Sequence, residues 1–144
     1  MTTTTKAPAI LIVDDEASLR EMLEIMLKRE GYEVSTANDG AAALKTMTKR
    51  EFDAVITDVA MPGMSGIELL TKARQQNHDA AVIVITAHGS TENAVQAMKL
   101  GATDYLTKPF QLEEMKITVA NALKARALER ENRQLRSELG KTFS

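Results

Sequence analysis

Cysteine and tryptophan are both absent from the 144-residue chain. Without a thiol there is no disulfide framework, no thiolate nucleophile and no cysteine-based zinc site. Aromatic residues are scarce, three Phe and two Tyr, so a core has to rest on Ile, Leu, Val, Ala and the eight Met. Excess charge is missing too: the formal net charge of −2 argues against broad electrostatic attraction to nucleic acid or anionic lipid. Its distribution is uneven, since seven Lys/Arg against five Asp/Glu from Gln111 onward make that part +2 and leave −4 for the rest. No run approaches the roughly 18 apolar residues of a membrane span. The opening "MTTTTKAP" has no apolar stretch of signal-peptide length. The expectation is a soluble, cytoplasmic protein with no membrane contact, no direct nucleic-acid binding and a disordered lead-in over residues 1–8.

What is present suits one globular domain. The apolar share is 44% and the charged share 26%, both ordinary, and the length allows one core rather than two. Short β-branched runs alternate with longer helical patterns. Ala9 to Val13, Ala54 to Thr57 and Ala81 to Thr86 are continuous apolar runs, which suit strands covered on both faces. Glu33 to Ala37 alternates, as a half-exposed edge strand does, and Asp104 to Leu106 completes five. Between them, Glu16 to Glu30 puts Leu19, Met22, Leu23, Met26 and Leu27 on one helical face, with Gly31 placed to end it. Gly40 to Arg50 carries Leu44 and Met47 on one side. Ser65 with Glu68 has the spacing of a capping box ahead of Leu69 and Leu70. Ser90 or Thr91 opens a fourth helix that Gly101 stops, and from Gln111 the helical pattern continues to about Leu139. Strands alternating with helices imply an α/β fold with a parallel sheet and right-handed crossovers.

That topology gathers the strand ends at one edge, where ligands bind in open parallel sheets. The first strand leads into Asp14, Asp15 and Glu16, the third into Asp58, the fourth into Thr86, and the fifth is followed by Lys108. Taken singly, each has a plain explanation: an Asp after a strand is usually a turn or cap residue, a Thr there is an ordinary strand residue, and a Lys before proline is a solvated charge. Together they bring acids, a hydroxyl and a cation to one edge. Carboxylates about 4 Å apart repel by about 4 kcal/mol per pair at an effective dielectric near 20. Either some of them take up protons or a divalent cation sits among them, and an all-oxygen site with room for water suits Mg2+. A cation and Lys108 meet the demand of phosphoryl transfer for neutralised equatorial oxygens, Thr86 can donate to one of those oxygens, and Asp58 can attack as a carboxylate nucleophile.

The segments "ILIVDDE", "VITDVAMPGMSG", "VIVITAHGS" and "GATDYLTKPF" resemble, in order and spacing, the signatures of the response-regulator receiver (CheY-like) family. The resemblance covers about residues 8 to 123. It implies a flavodoxin-like (βα)5 three-layer sandwich with strand order 2-1-3-4-5 and a receiver domain over residues 9–123. It further implies that Asp58 accepts a phosphoryl group from a histidine kinase, and that Asp15 and Asp58 ligate Mg2+ directly, with Asp14 acting through water and the backbone carbonyl of Ala60 completing the set. Thr86 and Lys108 would grip the phosphoryl oxygens, the Lys108–Pro109 bond would be cis, and Tyr105 would be the switch aromatic that turns inward as Thr86 moves. Ala60 and His88 fall where family members tune phosphate lifetime. His88 is read as a solvated loop histidine rather than a relay histidine, His78 as a residue of the polar turn "QQNHDA", and Met61 and Met64 as parts of a turn leading into a helix.

The last helical pattern outruns the receiver. With Leu128 as d, Asn132 falls at a, Leu135 at d and Leu139 at a. A polar Asn at an a position is a device for fixing register and a two-stranded state. Lys124 at g would face the partner's Glu129 at e, and Glu131 the partner's Arg136, both pairs of opposite sign. The expectation is a parallel homodimer through a coiled-coil linker over 124–140, against the plainer alternative of a solvated helix. The extension also resembles the linker that precedes the ATPase domain in the NtrC-like family of σ54-dependent transcription activators. Residues 141–144 would then open a downstream region carrying ATPase and DNA-binding domains. The chain itself has neither a GxxxxGK[ST] segment nor a recognisable helix-turn-helix. Two other classes compete: a free-standing receiver that docks on partners with the long helix as an arm, and a Mg2+-dependent phosphatase. Hydrolases that use an Asp nucleophile carry a second acid two positions later, where this chain has Ala60, so no enzymatic turnover is expected beyond self-phosphorylation and slow dephosphorylation.

Overall fold

The computed structural model describes residues 7–76, 78–87 and 90–143, with side chains through residue 137. Five strands, β1 (Ala9–Val13), β2 (Glu33–Ala37), β3 (Ala54–Asp58), β4 (Ala81–Thr86) and β5 (Asp104–Thr107), alternate with α1 (Ala17–Arg29), α2 (Gly40–Lys49), α3 (Gly66–Gln75), α4 (Thr91–Lys99) and α5 (Leu112–Phe143). All neighbouring strands pair in parallel, in the order β2-β1-β3-β4-β5. The expected fold class and strand order are both found.

The continuous apolar runs are explained by two cores. Successive strand side chains point to opposite faces, so Leu11, Val13, Val55, Val82 and Val84 meet Ala43 and Met47 of α2, Leu69, Leu70 and Ala73 of α3 and Ala97 of α4. Ile10, Ile12, Ile56, Ile83 and Ile85 meet Leu23, Met26 and Leu27 of α1 and Met115, Val119 and Ala122 of α5. Edge strand β2 buries only Ala37, as its alternation implies.

The helix ends follow from named residues. Gly31 and Gly101 adopt φ of 93° and 106°, a region open to glycine at little cost, and both stop their helices as expected. Asp39 caps α2 by accepting from the Ala42 N–H, and Ser65 caps α3 by accepting from the Glu68 N–H. Among the described residues only the Ser65 half of the expected capping box is seen, and the Glu68 carboxylate instead lies 3.5 Å from Lys72 Nζ. On α1, Leu23, Met26 and Leu27 are buried but Met22 is 44% exposed, a departure from the apolar face read from periodicity. The lead-in through Lys6, His88 and the side chain of Leu139 lie outside the described residues.

The longest helix, α5, runs unbroken past Leu123 to Phe143. Beyond Ala122, its Arg126 is 8% exposed, with Nη1 2.7 Å from Asp53 Oδ1 and Nη2 3.1 Å from Asp79 Oδ1. Among the described residues no helix is long and apolar enough to cross a membrane.

Candidate functional site

The ends of β1 and β3 and the segment after β5 build an acidic pocket. β1 delivers Asp14 and Asp15 as it leaves the sheet, and Asp58 is the last residue of β3. One carboxylate oxygen from each of Asp14, Asp15 and Asp58 lies within 4.8 Å of the others. Asp14 and Asp58 are buried, 1% and 5% exposed, whereas Asp15 opens to solvent. β5 leads into Lys108, whose N–H donates to the Thr86 carbonyl of β4. Its ammonium reaches back to Asp58 Oδ2 at 2.7 Å. The other oxygen of Asp58 accepts the Ala60 N–H at 3.0 Å.

The electrostatics are those of crowded charge. Burial pushes the Asp14 carboxyl above its ordinary 3.8, and the charges of Asp58 and Asp15 add to that, while the Glu16 N–H and Lys108 oppose it. Burial alone would lower Lys108, but the hydrogen bond and charge of Asp58 outweigh it, and Lys108 ends above its ordinary 10.5. Asp14 Oδ1 accepts the Glu16 N–H at 2.9 Å, but Oδ2 is sealed from solvent with no hydrogen-bond partner among the described residues. A buried orphan oxygen is costly, and beside two further carboxylates it is what a hard cation with oxygen ligands would satisfy. Asp14, Asp15 and Asp58 therefore fit a magnesium site by donor type and by need.

Thr86 is 2% exposed, and its hydroxyl makes a long 3.5 Å contact with the Leu106 carbonyl rather than with Asp58. Tyr105 is 44% exposed. A small cavity of about 80 Å3 lies between the two, lined also by Ser90, Thr91, Ala94 and Thr107. The Lys108–Pro109 bond is cis. Beside Lys108, Leu19, Met22, Pro109 and Phe110 line an open cleft of about 580 Å3, which accounts for the outward-facing Met22. His78, read as a residue of the polar turn, is half-buried: its Nδ1 accepts the Ala80 N–H at 3.4 Å, and its buried Nε2 has no partner among the described residues. Burial holds it below its ordinary 6.5.

Sequence reading missed two supports of the pocket. Arg20 Nη1 donates to the Asp14 carbonyl at 2.7 Å, pinning the turn that presents the acids. Its spacing gave no signal, because the acceptor is a backbone carbonyl six residues back. Gly66 is the second: a Cβ there would stand 2.3 Å from the Asp58 carbonyl oxygen, so only glycine lets α3 start against the end of β3. The exposed ends of α5, Leu128 at 64% and Leu135 at 51%, lie far along the helix from this pocket.

The comparisons with known proteins agree with this geometry. Residues 10–120 match the family described as "Response regulator receiver domain". The chain is 38% identical over 134 residues to the regulatory protein AtoC of Escherichia coli, covering 93% of this chain and 29% of that protein. A response regulator receiver domain protein from Clostridium thermocellum superposes with a TM-score of 0.79 at 36% identity, over 84% of this chain and 98% of that one. NtrX from Brucella abortus gives 0.85 at 34% identity, over 90% of this chain and 29% of that one. The chain spans between 26% and 56% of the length of the curated relatives it matches. With the family matched across the whole sheet and the acids gathered where its signatures lie, this chain belongs to the response-regulator receiver family of two-component signalling.

Proposed function

We propose that the chain is a phosphorylation switch whose acceptor is Asp58 and that it forms the N-terminal regulatory portion of a longer transcription regulator. One observation supports this above others: the Asp58 carboxylate, 2.7 Å from the Lys108 ammonium, shares its pocket with Asp14 and Asp15. A Mg2+ ion held by Asp14, Asp15, Asp58 and the backbone carbonyl of Ala60 would supply charge neutralisation for the incoming phosphoryl group. Asp58 attacks phosphorus through a carboxylate oxygen, the new O–P bond forms as the bond to the donor atom breaks, and the donor leaves with the electron pair. Lys108 stays paired with the growing negative charge and orients the carboxylate before transfer. The donor is a histidine kinase, and the apolar cleft of Leu19, Met22, Pro109 and Phe110 gives it a seat beside Lys108.

Transfer then biases two states of the same chain. Turning toward a bound phosphoryl oxygen takes the Thr86 hydroxyl off the Leu106 carbonyl, and the cavity beside it gives the Tyr105 ring space to turn inward. Outward Tyr105 and distant Thr86 are the arrangement expected without phosphate. Output passes through α5, whose exposed Leu128 and Leu135 form the start of the heptad seam with Asn132 and favour a parallel homodimer. The lengths of AtoC and NtrX support a missing output region, proposed as an ATPase with a DNA-binding domain. Turnover of outside substrates is not expected, because Ala60 offers no acid for a leaving group.

Incubation with Mg2+ and acetyl phosphate is expected to add one phosphate to the native chain and none to Asp58→Ala, read by intact mass. Equal labelling of the two would overturn the assignment.

A further inference from the structure

Arg126 lies past the point where the receiver pattern ends, yet it is among the few buried charged residues, at 8% exposure. A guanidinium out of water is costly unless its donors are matched. Here they are: Nη1 donates to Asp53 Oδ1 at 2.7 Å, Nη2 to Asp79 Oδ1 at 3.1 Å, and Nε to the Asp79 carbonyl at 3.2 Å. Asp53 is itself held, because its Oδ2 accepts the N–H of Ala9 at the start of β1 at 2.8 Å. One turn further along α5, Arg130 adds two bonds of 3.3 Å to the same Asp79 carboxylate. Asp53 and Asp79 stand just before β3 and β4, at the edge of the sheet opposite the acidic pocket.

We propose that Asp53, Asp79, Arg126 and Arg130 form a charge clamp that makes the first turns of the extension a rigid part of the receiver body and fixes the rotation of α5 about its own axis. Ion pairs of this kind contribute more to specifying one arrangement than to net stability. The phase they select is informative. At about 100° per residue, Leu128 and Leu135 project roughly 160–180° away from Arg126, while Met115, Val119 and Ala122 share its side and are buried. The clamp therefore turns the Leu128–Leu135 stripe away from the chain's own body. A loose tether after Ala122 would leave that direction undefined.

The test uses the full chain in a Leu128→Ser/Leu135→Ser background, so that pairing between copies cannot protect the helix and failure of the dimer reading is kept separate. Hydrogen exchange read by mass spectrometry is expected to show peptides from 123–135 exchanging at least tenfold faster in Arg126→Gln. Strand peptides and acetyl phosphate labelling of Asp58 should stay unchanged. Unchanged exchange in 123–135 overturns the clamp, and so does a uniform rise across β3 and β4, which would mean a general support of the fold. If Arg126→Gln fails to fold, Asp79→Asn takes the negative charge and one acceptor oxygen from the shared, half-exposed partner. A severalfold rise confined to 123–135 is expected there, and native exchange overturns the proposal.

Discussion

Asp14 keeps one carboxylate oxygen on the Glu16 N–H while the other is buried with no hydrogen-bond partner among the described residues, and two more acids stand within 4.8 Å. Removing its charge should therefore help the metal-free chain. Asp14→Asn is expected to raise metal-free stability by about 1 kcal/mol, from relieved repulsion and an easier burial, and to weaken stabilisation by Mg2+; matched thermal melts with and without the ion check both. Lys108 acts in the opposite sense, since it is the only cation bonded to Asp58 among the described residues. Lys108→Gln should slow acetyl phosphate labelling of Asp58 by about 10²-fold, measured as initial rate by intact mass, with little change in fold. Asp14, Asp15 and Asp58 were legible from the chain because they stand at the ends of apolar runs that read plainly as strands, and Lys108 because it follows the short fifth strand closely. Arg20 and Gly66 were not, since each acts on a backbone carbonyl, and backbone proximity leaves no trace in residue type. The partial burial of His78 was not legible, because a polar turn says nothing about what packs over it.

At the scale of elements, strand bounds were read almost to the residue wherever both faces are buried. The reason is that β1, β3 and β4 serve two cores at once, so their positions are apolar up to the polar residues at the C-terminal ends of β3 and β4. Met22 failed for a related reason: an apolar helix residue looks alike to periodicity whether it faces a core or an open cleft. The Ser65 cap was correct while the return bond from Glu68 was not, because Lys72 lies one turn on and competes for the same carboxylate. The start of α3 makes a sharper demand. Gly66→Ala is expected to destabilise by about 2–3 kcal/mol, since the new methyl meets backbone at 2.3 Å, and to slow Asp58 labelling as the strand end shifts. Denaturant melts beside labelling rates test it. On α5, Leu128→Ser with Leu135→Ser should give a monomer at tens of micromolar by light scattering, where the native chain is expected to be dimeric.

For the whole molecule, acid should loosen the attachment of α5 before it dissolves the sheet. Burial works against ionisation of Asp79, but hydrogen bonds from Arg130 and Arg126 outweigh it and hold the carboxyl below its ordinary 3.8. A depressed carboxyl stabilises the folded chain above pH 3.8, and that contribution is lost as pH falls through the folded value. Arg126 and Arg130 face this group from α5, and His78 and Arg74 lie beside it. Peptides from 123–135 should lose protection at acid pH in the native chain, with a much flatter profile in Asp79→Asn. Mg2+ should act globally through the other end of the sheet, adding about 2.7 kcal/mol of stability at a hundredfold excess over its dissociation constant.

Strand β3 begins beside Asp53 and finishes at Asp58. Five residues, roughly 17 Å of extended backbone, separate the carboxylate that would take the phosphoryl group from the one that grips the outgoing helix. The proposed phosphoryl acceptor and the anchor of the long helix thus stand at the two ends of one buried strand.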